Sequence, residues 1–120
     1  MSYPLKRRPF TKEERLQVYN KYGGKCAYCG QEIEYEDMQV DHLYPLNLGG
    51  TNDMDNLMPS CRPCNHYKHT LTLEKFRQAL SEEIEVLNKS SVAYRNAKRF
   101  NLIQETNMPV TFYFEKCKKE

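Results

Sequence analysis

Two Cys-x-x-Cys pairs, Cys26/Cys29 and Cys61/Cys64, constrain this chain more than any other feature, and 31 residues separate them. A Cys-x-x-Cys turn lets two thiolates approach one ion, and a distant second pair closes a tetrahedron around it. The pattern therefore points to a Cys₄ zinc site, for which a redox-inert ion without geometric preference is suited. Gly23-Gly24 precedes the first pair and Gly30 follows it, as tight knuckle turns require. A redox Cys-x-x-Cys lacks its βαβ context here, and a pair of disulfides does not suit a reducing compartment. The fifth cysteine, Cys117, has no sequence partner and reads as a bystander.

A staple of this kind matters because the chain is small and its apolar share is lean. Of 120 residues, 39% are hydrophobic and 28% charged, enough for one domain and a modest core. No apolar run approaches the ~18 residues of a membrane span. Residues 1–10 contain Lys6, Arg7 and Arg8 without a following apolar stretch, so no secretion signal is read and a cytoplasmic location is expected. The net charge of +2 neither requires nor excludes nucleic acid. The cations are clustered, however, at Lys6-Arg7-Arg8, Arg95/Lys98/Arg99 and Lys116/Lys118/Lys119.

Local signals divide the chain into a basic arm (1–10) and one domain (11–120), with a core at about 23–70 and a helical extension over 71–120. Thr11-x-x-Glu14 fits a capping box, and the helix it opens is expected to run to about Tyr22, with Leu16, Tyr19 and Tyr22 inward. Residues 38–43 and 56–59 read as short extended segments. Pro63 suits the first turn of a helix carrying Asn65, His66, Lys68 and His69. Leu73, Phe76, Leu80, Ile84 and Leu87 form one helical stripe behind the N-cap Thr72, and Ala93, Ala97 and Phe100 mark another helix. Val110 to Phe114 alternates and reads as a final strand.

Between and across the cysteine pairs runs Asp41-His42, then Pro45, Gly49-Gly50, Asn56-Leu57, and Cys61-Arg62-Pro63-Cys64-Asn65-His66-Tyr67-Lys68. This order and spacing resembles the HNH endonuclease family over Cys26 to about Lys68. The resemblance implies an α+β fold: a small ββα-metal, treble-clef-like core stapled by the Cys₄ zinc, with flanking helices and a C-terminal strand. It also implies one divalent cation touching the scissile phosphate and the 3′ leaving oxygen, with 5′-phosphate ends as product.

Phosphodiester hydrolysis needs an activated water and a cation to stabilise the developing charge. His42 is the candidate general base, since an imidazole can accept a proton at neutral pH. Asp41 is a hard oxygen donor suited to Mg²⁺ or Mn²⁺, and Asn65 can supply a second, neutral ligand. Strand neighbours face opposite ways, so the strand must end or bend at Asp41-His42 for both to serve one site. Asn56 fits the family's middle asparagine, which pins the loop and helps orient His42. The third signature position is Asn65 where the family name expects histidine, a known variant; His66 is the alternative ligand if the helix is rotated by one residue.

Arg62, Lys68, Lys6, Arg7 and Arg8 are the expected DNA phosphate contacts, with Arg95, Lys98 and Arg99 as further candidates. Such contacts position DNA without reading sequence, so nicking or cutting with weak sequence preference is expected. Cleavage of both strands would call for two visits or a homodimer. The rival readings are a zinc-stapled DNA-binding module without catalysis, and the same chemistry on RNA or branched substrates.

Overall fold

The structure is a computed structural model and describes residues 8–117. Its core is a hairpin and a helix. Strands β1 (Gln39–His42) and β2 (Leu57–Ser60) pair antiparallel, with Asp41 opposite Met58 and His42 opposite Leu57. Helix α2 (Arg62–Lys68) follows β2 directly and packs on β1. Cys61 is the N-cap of α2 and Pro63 lies in its first turn, where a missing amide is harmless.

Helix α1 (Lys12–Asn20) precedes this core. Thr11 and Glu14 form the expected reciprocal capping box, at 3.1 and 2.9 Å. The helix stops two residues earlier than its sequence suggests, because the chain turns through Lys21 to Gly24. Its inward residue is Val18, fully buried, whereas Leu16 is exposed. Arg8 grips both carboxylate oxygens of Glu14, at 3.0 and 2.9 Å, and is thereby drawn into the cap. Lys6 and Arg7 lie outside the described residues.

The Arg8 guanidinium and the Thr11 amide hold the Glu14 carboxyl down to about 2. A depressed carboxyl stabilises the fold above its unfolded value and loses that contribution as pH falls through the folded one. Helix stabilisation by Glu14 is therefore expected to fade between about pH 4.5 and 2. Thermal melts of Glu14→Gln and the parent should differ at neutral pH and converge at the acid end.

Two apolar clusters flank the hairpin. Val18, Met38, Val40 and Leu57 join α1 to the sheet. Cys26, Ala27, Tyr28, Met58, Cys61, Phe76 and Phe112 form the other, around the cysteine pairs. Phe76 comes from α3 (Leu73–Ser81), capped by Thr72, and stacks on Phe112 at 5.2 Å.

The Leu73–Leu87 stripe is not one helix. It breaks at Glu82 into α3 and α4 (Glu83–Ser90). Ser81 Oγ donates to the Arg77 carbonyl at 2.8 Å, and the Glu82 amide is shared between the Gln78 and Ala79 carbonyls. Both features bend a helix. Helix α5 (Val92–Arg99) folds back on α4 behind the N-cap Ser91.

Residues 110–114 do not form the expected strand. Phe112 plugs the second cluster, and Tyr113 and Phe114 donate their amides to the carbonyls of Tyr28 and Ala27 in the first cysteine turn. Glu115 returns to the Phe112 amide at 2.9 Å and opens a single turn, α6 (Tyr113–Lys116). Alternation here reflects one buried aromatic and its flanking contacts, whose amides are taken by the cysteine turn. Among the described residues, no helix is long and apolar enough to cross a membrane.

Candidate metal and catalytic site

The first cysteine turn is a tight knuckle: Cys26 N–H reaches Gln31 O at 2.8 Å and Gly30 N–H reaches Cys26 O at 2.9 Å. Gly30 has φ +80°, and a Cβ there would come 2.9 Å from the Tyr113 ring. Ala27 N–H donates to Pro59 O at 2.8 Å, which fastens the knuckle to β2. Cys61 and Cys64 approach from the start of α2. The four Sγ atoms all lie within 4.8 Å of one another, and Cys29 and Cys61 are 3.8 Å apart. Tetrahedral Zn–S bonds of ~2.3 Å give S···S edges of about 3.8 Å, so the thiols fit a zinc ion. In the metal-free set, a hydrogen bond from Cys64 holds the Cys26 thiol down to about 4. That same bond pushes Cys64 well up, and burial pushes Cys29 up to about 11. A cation would relieve this mutual repulsion.

Tyr28 sits between the two cysteines of the knuckle and reaches across the core. Its hydroxyl donates to Asp41 Oδ2 at 2.5 Å. Burial, then the Asp41 anion, pushes the phenol far above its ordinary value, so it remains a donor. Lys68 completes the arrangement. Expected as a phosphate contact, it is instead fully buried. Its ammonium lies 3.0 Å from Asp41 Oδ2 and donates to the His42 main-chain carbonyl at 3.0 Å. Lys68 therefore ties the last turn of α2 to the end of β1. Both contacts on Asp41 fall on Oδ2, which leaves Oδ1 for another partner.

Asn65 is half-buried and one turn before Lys68, so the two share the face of α2 that meets β1. His66 is exposed and lies most of a half-turn from Lys68, away from that face. His69, with φ 47°, lies beyond the helix end. Arg62 is exposed at the start of α2.

His42 is 5% exposed, with Phe10 at a ring-centroid distance of 6.0 Å. Its Nε2 is 2.8 Å from Asn52 Oδ1. The Asn56 side chain makes its hydrogen bonds to the loop backbone and none to the imidazole. Its side-chain amide donates to Tyr44 O and Thr51 O at 3.1 and 2.8 Å and accepts from Tyr44 N–H at 2.8 Å, which closes the loop after β1. Gly50 crosses the same loop so closely that a Cβ would lie 1.9 Å from Tyr44 O. Sequence reasoning overlooked Asn52 and Tyr28. The usable signals were an amide just after Gly49-Gly50 and an aromatic inside the first Cys-x-x-Cys.

The expected basic patch on α5 is partly spent inside the fold. Arg95 donates to the carbonyls of Asn88 and Lys89, ending α4, and Lys98 pairs with Glu105 at 3.0 Å.

Removing one partner of the buried Lys68–Asp41 pair leaves an unpaired charge in the core. Lys68→Met is expected to cost about 3–5 kcal/mol, read by chemical denaturation with zinc present. A denaturation midpoint equal to the parent's would show that the pair has no structural weight.

Comparison with known proteins agrees with this architecture. Residues 26–81 match the family model for HNH endonucleases. A CRISPR-associated endonuclease Cas9 of Corynebacterium diphtheriae is 36% identical over 55 residues, 45% of this chain and 5% of the relative. The SPbeta prophage-derived protein YoqL of Bacillus subtilis is 33% identical over 63 residues, 46% of this chain and 27% of the relative. The crystal structure of the type II-C Cas9 enzyme from Actinomyces naeslundii superposes with a TM-score of 0.51 at 28% identity, covering 60% of this chain and 8% of that one. Residues 26–81, which hold the ββα core and its four cysteines, are thus similar to HNH endonucleases in sequence and fold. The chain spans about a quarter or less of the curated relatives it matches.

Proposed function

We propose that the protein is a metal-dependent endonuclease that hydrolyses DNA phosphodiester bonds. The observation that carries this reading is that Asp41 and His42 close β1 side by side, Lys68 of α2 holding the Asp41 carboxylate and the His42 main-chain carbonyl, within a segment that matches the HNH endonuclease model. A DNA-binding module without catalysis has no use for a proton acceptor beside a braced carboxylate.

The donor set suits a second metal besides zinc. Asp41 Oδ1 and the Asn65 side-chain oxygen are hard, oxygen-only donors on facing elements, fit for Mg²⁺ or Mn²⁺. Such a cation, when bound, would offset negative charge on the phosphate and the 3′ oxygen. One anionic and one amide ligand hold a divalent ion loosely, so DNA phosphate and water would complete its shell. His42 takes a proton from water; the water oxygen forms the new P–O bond, the P–O3′ bond breaks, and the leaving oxygen takes a proton from solvent. Tyr28 and Lys68 keep Asp41 in place during this step. Arg62 is the remaining phosphate contact on the site helix, and Lys6 and Arg7 extend the set. Contacts of this kind favour weak sequence preference and steep salt dependence. Duplex cleavage by one site takes two nicks or a homodimer.

The test is incubation with supercoiled plasmid in Mg²⁺ or Mn²⁺, with EDTA and His42→Ala controls. Open-circle or linear product that disappears in both controls is expected. Intact plasmid under every metal condition would overturn the reading in favour of a binding module.

A further inference from the structure

We propose that Asn52 is a positioning residue for His42, its side-chain carbonyl holding the imidazole as the Nε2–H tautomer. The two atoms are 2.8 Å apart. An amide oxygen can only accept, so the proton of this bond must reside on Nε2. In a neutral imidazole the lone pair then lies on Nδ1. Phe10 flanks the same ring, so the imidazole is restrained by packing as well as by the hydrogen bond.

The loop that carries Asn52 is itself held in place. Asn56 donates to Thr51 O, and Thr51 and Asp53 bond to each other on either side of Asn52. Gly50 lets this loop pass against Tyr44 O at a distance no side chain allows. Asn56 therefore acts on His42 through the loop, and Asn52 is the group that touches the ring. The arrangement also survives the proton transfer. Once Nδ1 has gained a proton, Nε2–H still donates to the same neutral oxygen, and nothing must rearrange.

The assignment of Nδ1 as the nitrogen that takes the proton of water rests on the nuclease reading, whereas the tautomer itself does not. The test pairs a spectroscopic and a kinetic readout on the zinc-loaded protein. Long-range ¹H–¹⁵N spectra at alkaline pH report the tautomer of each histidine, and His42→Ala identifies the His42 signals. Nε2–H is expected in the parent, a mixture in Asn52→Leu, and Nε2–H again in Asn52→Asp, which keeps the acceptor. With plasmid and Mg²⁺, Asn52→Leu is expected to lower kcat by about 10–100-fold, the usual weight of an orienting partner, with KM nearly unchanged. Asn52→Asp should recover most of that loss. Nδ1–H in the parent, or an Asn52→Leu protein with parental tautomer and kcat, would overturn the proposal. A parent with the Nε2–H form that cleaves no DNA would defeat the nuclease reading and still support the positioning.

Discussion

A Cys61→Ser variant is expected to lose zinc and its fold together. Structural zinc contributes on the order of 10–16 kcal/mol to small domains, as much as or more than the typical ~5–15 kcal/mol of a whole domain. The architecture here gives that general figure a specific basis. Cys61 stands at the junction of β2 and α2, and the other cysteine pair lies in the knuckle that Phe76, Phe112 and Phe114 cover. Without the ion, four thiols converge with nothing to balance them, and the knuckle is left tied to the hairpin by the Ala27–Pro59 and Tyr28–Asp41 hydrogen bonds and the packing around Met58. Loosening the knuckle would also loosen Tyr28 on Asp41, so the loss reaches the end of β1 that carries Asp41 and His42. Metal analysis should find about one zinc per chain in the parent and little in the variant. Circular dichroism should show the variant, and the chelator-treated parent, losing their cooperative melts. A Cys61→Ser protein that kept both zinc and the parental melting temperature would refute the Cys₄ site.

The second large effect is expected at His42. A positioned general base contributes about 10²–10⁴-fold, so His42→Ala should reduce single-turnover DNA cleavage by that factor. Fold and zinc should survive, because Lys68 grips the main-chain carbonyl of His42 and not its ring. DNA affinity, measured by fluorescence anisotropy in Ca²⁺, should stay within a few-fold of the parent. The separation of rate from affinity is the informative part. Equal losses in both would assign His42 to substrate binding, and an undiminished rate would place the base elsewhere.

The parts legible in the sequence are those that covalent spacing dictates. Two cysteine pairs with two-residue gaps point to one metal site, and Thr11 with Glu14 states its helix start in four residues. Asp41-His42 could be read because its neighbours occur in a fixed order. What escaped depends on contacts made in three dimensions. A lysine on a short helix reads as a surface cation, and only the fold brings Asp41, 27 positions away, against Lys68 and turns it inward. The partners that Arg8 and Arg95 find within the fold escaped for the same reason, since those acceptors are set by loop and helix ends. The bend at Glu82 follows from a serine hydroxyl competing for a backbone carbonyl, a local effect hidden beneath an unbroken apolar stripe. The final aromatic segment alternates as a strand does. The carbonyls of Ala27 and Tyr28 take its amides, and a helical turn follows.

The central claim is spatial: the zinc-built core sets His42, Asp41 and Asn65 around one cation on a DNA phosphate. A crystal structure with a short duplex and Ca²⁺ in place of the activating ion tests it most directly. The expected result is Ca²⁺ bound by Asp41 Oδ1, the Asn65 amide oxygen and a phosphate, with a His42 ring nitrogen about 2.6–3.2 Å from a water facing the phosphorus. A cation held by other residues, or a His42 ring turned away from the phosphate, would contradict it.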